Sequence, residues 1–461
     1  MAVLAAYIVP HPPLIVPTVG GGQERTIKKT VEAYKSVAAE IGEMNPETVL
    51  LITPHSIMYQ DYIHISPGRE ASGDFSRFGD RATSIAVNYD AEFVSLLEEK
   101  ASKEAIPAGT LGERDKKLDH GALVPLYFLN QYLNDFQVVR ISVSGLSLIE
   151  HYRFGKCIKE VAENLNRRVV VIASGDLSHR LKEEGPYSFA PEGPDFDDQV
   201  TKAMAVGDFL SMMNFKEEFS EAAGECGLRG FVIMAGTLDG MTVKPKLLSY
   251  EGPFGVGYAV ASFHPGTWDD ARRIDLLYEE KAKSELDRTR KEEDIYASLA
   301  RLSLESYVRG RKYIDLPPGL PAEITDKKAG VFVSLKKDGR LRGCIGTISP
   351  VEGSIAQEII RNAVSAGTGD PRFDPIIPSE LEEIVYSVDV LGDPEPIESV
   401  DQLDVIRYGV IVSRGRKRGL LLPNLEGVSR PEQQVEIALR KAGISPADEY
   451  SMERFEVVRH K

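Results

Sequence analysis

The chain is poor in cysteine: Cys157, Cys226 and Cys344 are the only three in 461 residues, odd in number and far apart. That excludes a disulfide framework and suits a reducing, cytoplasmic setting. A long apolar run is also missing. The N-terminal stretch "MAVLAAYIVP" has no basic residues before it and stops at Pro10, too short to cross a bilayer, so it reads as a core strand. Basic charge is scarce as well: the formal net charge is −15. A broad nucleic-acid footprint needs the opposite sign, so no such role is expected for the whole chain. One basic loop, "RGRKR" at 414–418, keeps a local contact open. No internal repeat or low-complexity tract occurs.

What is present is an ordinary globular composition, 42 % hydrophobic and 27 % charged, over a length that suits two or three domains. The first part alternates strand and helix. Short, β-branched, continuously apolar runs at 2–9, 48–53, 137–144 and 168–174 read as strands covered on both faces. Helical patterns at 24–44, 91–104, 121–133 and 147–166 lie between them, and a helix near 226–237 and strands near 243–250 and 256–263 follow. This pattern predicts an α/β layered domain with a mostly parallel sheet over residues 1–266. A charged helical linker is expected at 267–289 and a smaller α+β domain at 290–461.

Three histidines fall at strand ends. His11 follows the first strand in "VPHPP", His55 the next in "ITPHS", and His179 a later one in "GDLSH". Ligands of open α/β sheets bind beyond the carboxyl ends of the strands, so all three belong to one sheet edge. Pro12 and Pro13 hold His11 on a rigid turn, and Pro54 stiffens the approach to His55. Neutral imidazole is the commonest metal ligand, and two with a carboxylate form an Fe(II) facial triad. Asp119 can cap a helix that carries His120 in its first turn. "AAGECG" offers Glu225 and Cys226 side by side as a third ligand. Glu225 would suit Fe(II), and Cys226 would suit zinc or copper.

Taken in order, "PHPP", "TPHS", "DHGALVPL", "SGDLSH" and "AGECG" resemble the class III (LigB-like) extradiol dioxygenases and the related Memo proteins. The resemblance implies an α/β fold, with His11, His55 and an acidic third residue, Glu225, as iron ligands. It implies His179 as the catalytic acid/base, with His120 either on the substrate side or behind a metal ligand. Asp176 could orient the His179 ring. The chemistry implied is Fe(II)-dependent cleavage of a catechol-like aromatic by O₂, in an enzyme that often assembles as a homo-oligomer. Cys226 departs from the dioxygenase pattern and is shared with Memo-like members, which implies the alternative of a metal-binding protein without dioxygenase activity.

In the C-terminal part, "DGRLRGCIGTISP" places Arg340, Arg342 and Cys344 at alternate positions of a strand-like run, so they are expected to share a face. Arg372 lies in the proline-bounded turn "GDPRFDP". A nucleophilic Cys344 activated by these arginines stands beside a plain buried cysteine as its two readings. "LRGCIGTI", "NAVSAGTGDPRFDP" and "GLLLPN" resemble the AMMECR1 family. The fusion is similar to protein A of the AmmeMemoRadiSam arrangement, whose other member is a radical-SAM protein. No CxxxCxxC spacing exists in this chain, so that protein would be a separate partner. A third reading is a modification enzyme whose AMMECR1-like unit recognises a macromolecule.

Overall fold

In a computed structural model, which describes residues 2–112, 117–337, 339–425 and 427–461, the chain divides into two compact units, Met1–Glu280 and Lys281–Lys461. The helix Ile274–Glu292 spans this division, where the sequence suggested a linker. Among the described residues no helix is long and apolar enough to cross a membrane.

The first unit is an eight-stranded sheet in the order Glu70–Asp74, Ser84–Tyr89, Gln137–Ser142, Thr48–Thr53, Val169–Ser174, Val3–Val9, Tyr258–Trp268, Met241–Glu251. The middle five strands are parallel, and antiparallel strands finish both edges. The four strands read from their apolar runs occupy the centre. Alternate residues point to opposite faces, which gives the sheet two cores. Ala6, Ile8, Leu50, Ile52, Val139 and Ile141 pack on one side, with the helices Leu148–Asn164 and Leu228–Gly236. Ala5, Tyr7, Val9, Val49 and Leu51 pack on the other, with Lys28–Met44 and His120–Leu129. The strands Glu70–Asp74 and Ser84–Tyr89, at one side of the sheet, escaped the sequence reading because they are half polar, and Gly73 interrupts the first.

Helix starts follow their caps. The Ser147 hydroxyl oxygen accepts from the Glu150 N–H, and Glu150 reaches back to the Ser147 N–H, a reciprocal box that starts Leu148–Asn164. Asp119 accepts from Ala122 and starts His120–Leu129, as its position before an apolar run predicts.

The second unit is an antiparallel sheet in the order Arg340–Gly346, Val331–Lys337, Ile384–Leu391, Ser451–His460, Tyr408–Arg414, Lys417–Leu421, with Glu395–Ile397 beside Ser451–His460. Helices Ile295–Gly310 and Ile355–Thr368 cover one face around Val331, Val333, Leu335, Tyr386 and Val388.

Candidate functional site

The strands Val3–Val9, Thr48–Thr53 and Val169–Ser174 are adjacent and parallel, so the segments that follow them emerge at one edge. His11, His55 and His179 come from these segments, and the His120 helix starts beside them. The rings meet: His11 lies edge-on to His55 at 4.7 Å and to His120 at 5.3 Å, and His55 stacks on His120 at 4.1 Å.

His11 is the anchor, 1 % exposed. Its N–H donates to Asp176 Oδ1 at 2.9 Å, and its Nδ1 sits 3.0 Å from Ser174 Oγ. These contacts fix the ring so that Nε2 faces the centre, where His55 Nε2 stands 2.9 Å away. His55 is exposed at the mouth. Its N–H is held by Thr53 Oγ1 at 3.3 Å, and Thr53 donates to Asp119 at 2.6 Å, which ties the His55 loop to the start of the His120 helix.

Cys226 stands beside the two imidazoles. Its Sγ lies 3.7 Å from His11 Nε2, and His11, His55 and Cys226 form one group with ligand atoms within 4.8 Å of one another. The loop carrying Cys226 is pressed against the loop after Val169–Ser174. A Cβ on Gly175 would stand 2.3 Å from Gly227 Cα, so only glycine permits this approach. The Asp176 N–H donates to Cys226 Sγ at 3.3 Å, and the Cys226 N–H donates to the Asp176 carbonyl at 3.4 Å.

Glu225, the expected third ligand, is turned elsewhere. Its Oε2 accepts from the Leu228 N–H at 2.7 Å and satisfies an orphan donor at the start of helix Leu228–Gly236. Burial pushes its carboxyl up to about 7. Adjacent residues in a loop point in different directions, and the sequence alone does not say which faces the histidines.

The electrostatics suit a cation. Burial, with the neighbouring imidazoles, holds His11 well below the usual histidine range, and burial brings His120 and His179 down to about 4. All three rings are therefore neutral at neutral pH. Burial raises Asp176 to about 7 and pushes the Cys226 thiol well above its usual range. Asp176 Oδ2 stands 3.9 Å from His11 Nε2, farther than the thiol.

His179 is half-buried, stacks on Tyr187 at 5.1 Å, and keeps a buried Nε2 with no hydrogen-bond partner among the described residues. Its loop is held from below: the Ser178 N–H donates to Asp197 at 2.8 Å, and Tyr250 donates to the same carboxylate at 2.7 Å. Phe78 meets the His120 ring edge-on at 5.6 Å. Ser174, Thr53, Asp197, Tyr187 and Phe78 were not singled out from the sequence. The first two sit at strand ends just before the candidate loops, a signal that was available.

In the second unit, Arg342 and Cys344 do not act together. The Arg342 guanidinium forms two bonds to Glu380 at 2.9 and 3.0 Å and a third to the Asp374 carbonyl, while the pairing slips between Leu335 and Lys336. Arg372 instead holds Asp370 and donates to the Cys344 carbonyl at 3.3 Å.

Comparison with known proteins agrees with the two units. The family model described as the catalytic LigB subunit of aromatic ring-opening dioxygenase matches residues 5–261, and the AMMECR1 model matches 297–460. A protein of Clostridium acetobutylicum is 44 % identical over the whole of both chains. A protein of Thermotoga maritima is 48 % identical over 168 residues, 36 % of this chain and 97 % of its own. The crystal structure of protein PH0010 from Pyrococcus horikoshii, 33 % identical, covers 36 % of this chain and 88 % of its own, with a TM-score of 0.34.

Proposed function

Since this chain belongs to the LigB family and carries an AMMECR1 domain after its LigB domain, we propose that its first unit binds one thiophilic metal ion through His11, His55 and Cys226, as a Memo-like protein rather than a ring-cleaving dioxygenase. The observation that carries this reading is the donor set itself. Two imidazole nitrogens face each other at 2.9 Å with a cysteine sulfur 3.7 Å from one of them. A zinc ion with ordinary bond lengths and tetrahedral angles would hold N···N at about 3.3 Å and N···S at about 3.6 Å. The exposed His55 loop is the part free to make that small adjustment.

The Fe(II) ion of a facial triad fits these residues poorly. It needs a carboxylate where the thiol stands, and the Glu225 carboxylate is bonded to a helix N–H. Zinc or copper(I) suits two imidazoles and a thiolate. Such an ion supplies Lewis-acid or redox chemistry at its open positions. The chain's own residues do the rest. Ser174 holds the His11 ring, and His120 and His179, neutral and half-buried, can take up or release a proton beside the ion. Tyr187 and Phe78 offer aromatic faces at the mouth.

One observation favours the dioxygenase reading: the Asp176 carboxylate, 3.9 Å from His11 Nε2, could supply the missing oxygen ligand after a small movement. Anaerobic purification with elemental analysis, then Fe(II) reconstitution and oxygen uptake with catechols and aminophenols, separates the two. Tightly held zinc or copper without oxygen uptake is the expected result. Stoichiometric iron with catechol-dependent oxygen consumption would replace this reading with ring cleavage. On the same reading the chain works with a separate radical-SAM protein, and co-purification of the two from a native lysate checks that partnership.

A further inference from the structure

The first unit carries a second cluster, towards the other end of its strands from the histidines. Ala6 of the first strand stands beside Phe263, so His264 lies towards the start of that strand, whereas His11 follows its end. Here helix Lys28–Met44 and the antiparallel pair Met241–Glu251 and Tyr258–Trp268 border a cavity of about 380 Å³. That is within the range of small-molecule sites, roughly 300–1,000 Å³.

Strand pairing sets out one wall. Lys244 is opposite His264 and Lys246 is opposite Ser262, so both lysines and both partners share one face. Ser36 and Glu40, one turn apart on the helix, line the other wall. His264 Nε2 stands 2.8 Å from Glu40, which engages the one carboxylate that lines the cavity. Lys244 and Lys246 make no ion pair among the described residues. Ser262 is 3 % exposed, and its hydroxyl has no hydrogen-bond partner among the described residues. Lysines and a proline can guard an edge strand against pairing with another chain, and Lys244, Pro245 and Lys246 do lie on the outermost strand. A guard needs neither a cavity nor a buried hydroxyl left free within it.

We propose that this cavity binds a small organic dianion, of the chemistry shared by phosphate monoesters and dicarboxylates. The two unpaired ammonium groups meet its charge, and the Ser36 and Ser262 hydroxyls donate to its oxygens. The site is independent of the metal reading.

The test is acetylation of the full-length protein by the neutral reagent N-hydroxysuccinimide acetate, with each lysine followed by peptide mass spectrometry. The free lysine amine forms a bond to the acyl carbon, the ester C–O bond breaks, and N-hydroxysuccinimide leaves with the electron pair. The proton lost from nitrogen goes to solvent. Glycerol 2-phosphate, succinate and sodium chloride are compared at equal ionic strength. A saturating dianion should slow both Lys244 and Lys246 about tenfold, while Lys35, exposed beside Ser36, keeps its rate. Slowing by glycerol 2-phosphate alone identifies a phosphate monoester, and slowing by succinate alone a dicarboxylate. In Lys246→Gln the protection of Lys244 should be lost with the thermal melt unchanged. No slowing by either dianion, equal slowing by chloride, or full protection of Lys244 in Lys246→Gln would overturn the proposal.

Discussion

His11 Nε2 and His55 Nε2 face each other at 2.9 Å across the ends of two different strands. At that distance a hydrogen, carried by one ring and donated to the other, or a metal ion must lie between the two nitrogens. His55 is exposed at the mouth of the site, so on the proposed metal reading His55→Ala should keep the fold and lose the bound metal. Elemental analysis against an unchanged melting temperature checks this; stoichiometric metal in the variant would contradict the ligand assignment.

Glu225 and Cys226 should respond in opposite ways. Cys226→Ser removes the sulfur donor and should release a thiophilic metal. Glu225→Ala should leave the metal in place and lower stability by about 1 kcal/mol, the usual worth of a helix cap. Metal content and urea melts of both variants read the difference.

Ser174 touches no ligand position, yet it holds His11 Nδ1 at 3.0 Å. Ser174→Ala should weaken metal affinity about 10- to 100-fold, the typical effect of losing a group that orients a ligating histidine. Competition with a chromogenic chelator measures it, and an unchanged affinity would mean that the Asp176 contact alone orients the ring.

Asp197 should make stability fall as pH rises. Burial lifts its carboxyl to about 6, above its value in the unfolded chain. The fold therefore holds this proton more tightly than the unfolded chain does. Below the ordinary carboxylate range both states are protonated and nothing is lost. As pH rises through the window from there to about 6, stability drops, and above it the loss stays constant at about 3 kcal/mol. Asp197→Asn should abolish that component, seen as a smaller difference between urea melts at acidic and neutral pH.

His151 works in the opposite direction. Its Nε2 accepts from the Ser144 N–H at 3.2 Å, so Nδ1 carries the proton and donates to the Ser147 carbonyl at 2.9 Å. Burial lowers its pKa to about 4. The fold's preference for the neutral ring is fully present above the ordinary histidine value and is lost as pH falls from there through about 4. His151→Gln should be less stable than the parent at neutral pH, with a shallower acid slope in the same melts.

Much of this could be read from the chain. Central strands announce themselves because both faces are covered and every residue must be apolar, as in Val169–Ser174. The meeting of His11 and His55 followed from parallel strands that end at one edge, and His120 joins them from the start of its helix. The edge strands were hidden because one side is solvated and packing, rather than pattern, makes them strands. The choice between Glu225 and Cys226 was hidden for another reason. It depends on the contact between Gly175 and Gly227, and a glycine that makes room for a neighbouring backbone looks in sequence like any loop glycine. In the second unit the alternation of Arg342 and Cys344 misled, because a slip in the strand pairing and the pull of Glu380 redirect the arginine.

The Cys226 sulfur and the His11 ring meet across 215 residues of chain. Such a pair exists only after the first strand has joined the sheet and the late helix has packed against it. On the proposed metal reading, an ion gripped by both would act as a removable staple that closes almost the whole first unit into one loop. Its binding energy would then be folding energy, exerted against the opening of that loop. Metal occupancy would then be a gauge of whether the first unit is closed: a chain that loosens anywhere between these two residues would release its ion, and a chain stripped of its ion would melt earlier by the corresponding amount.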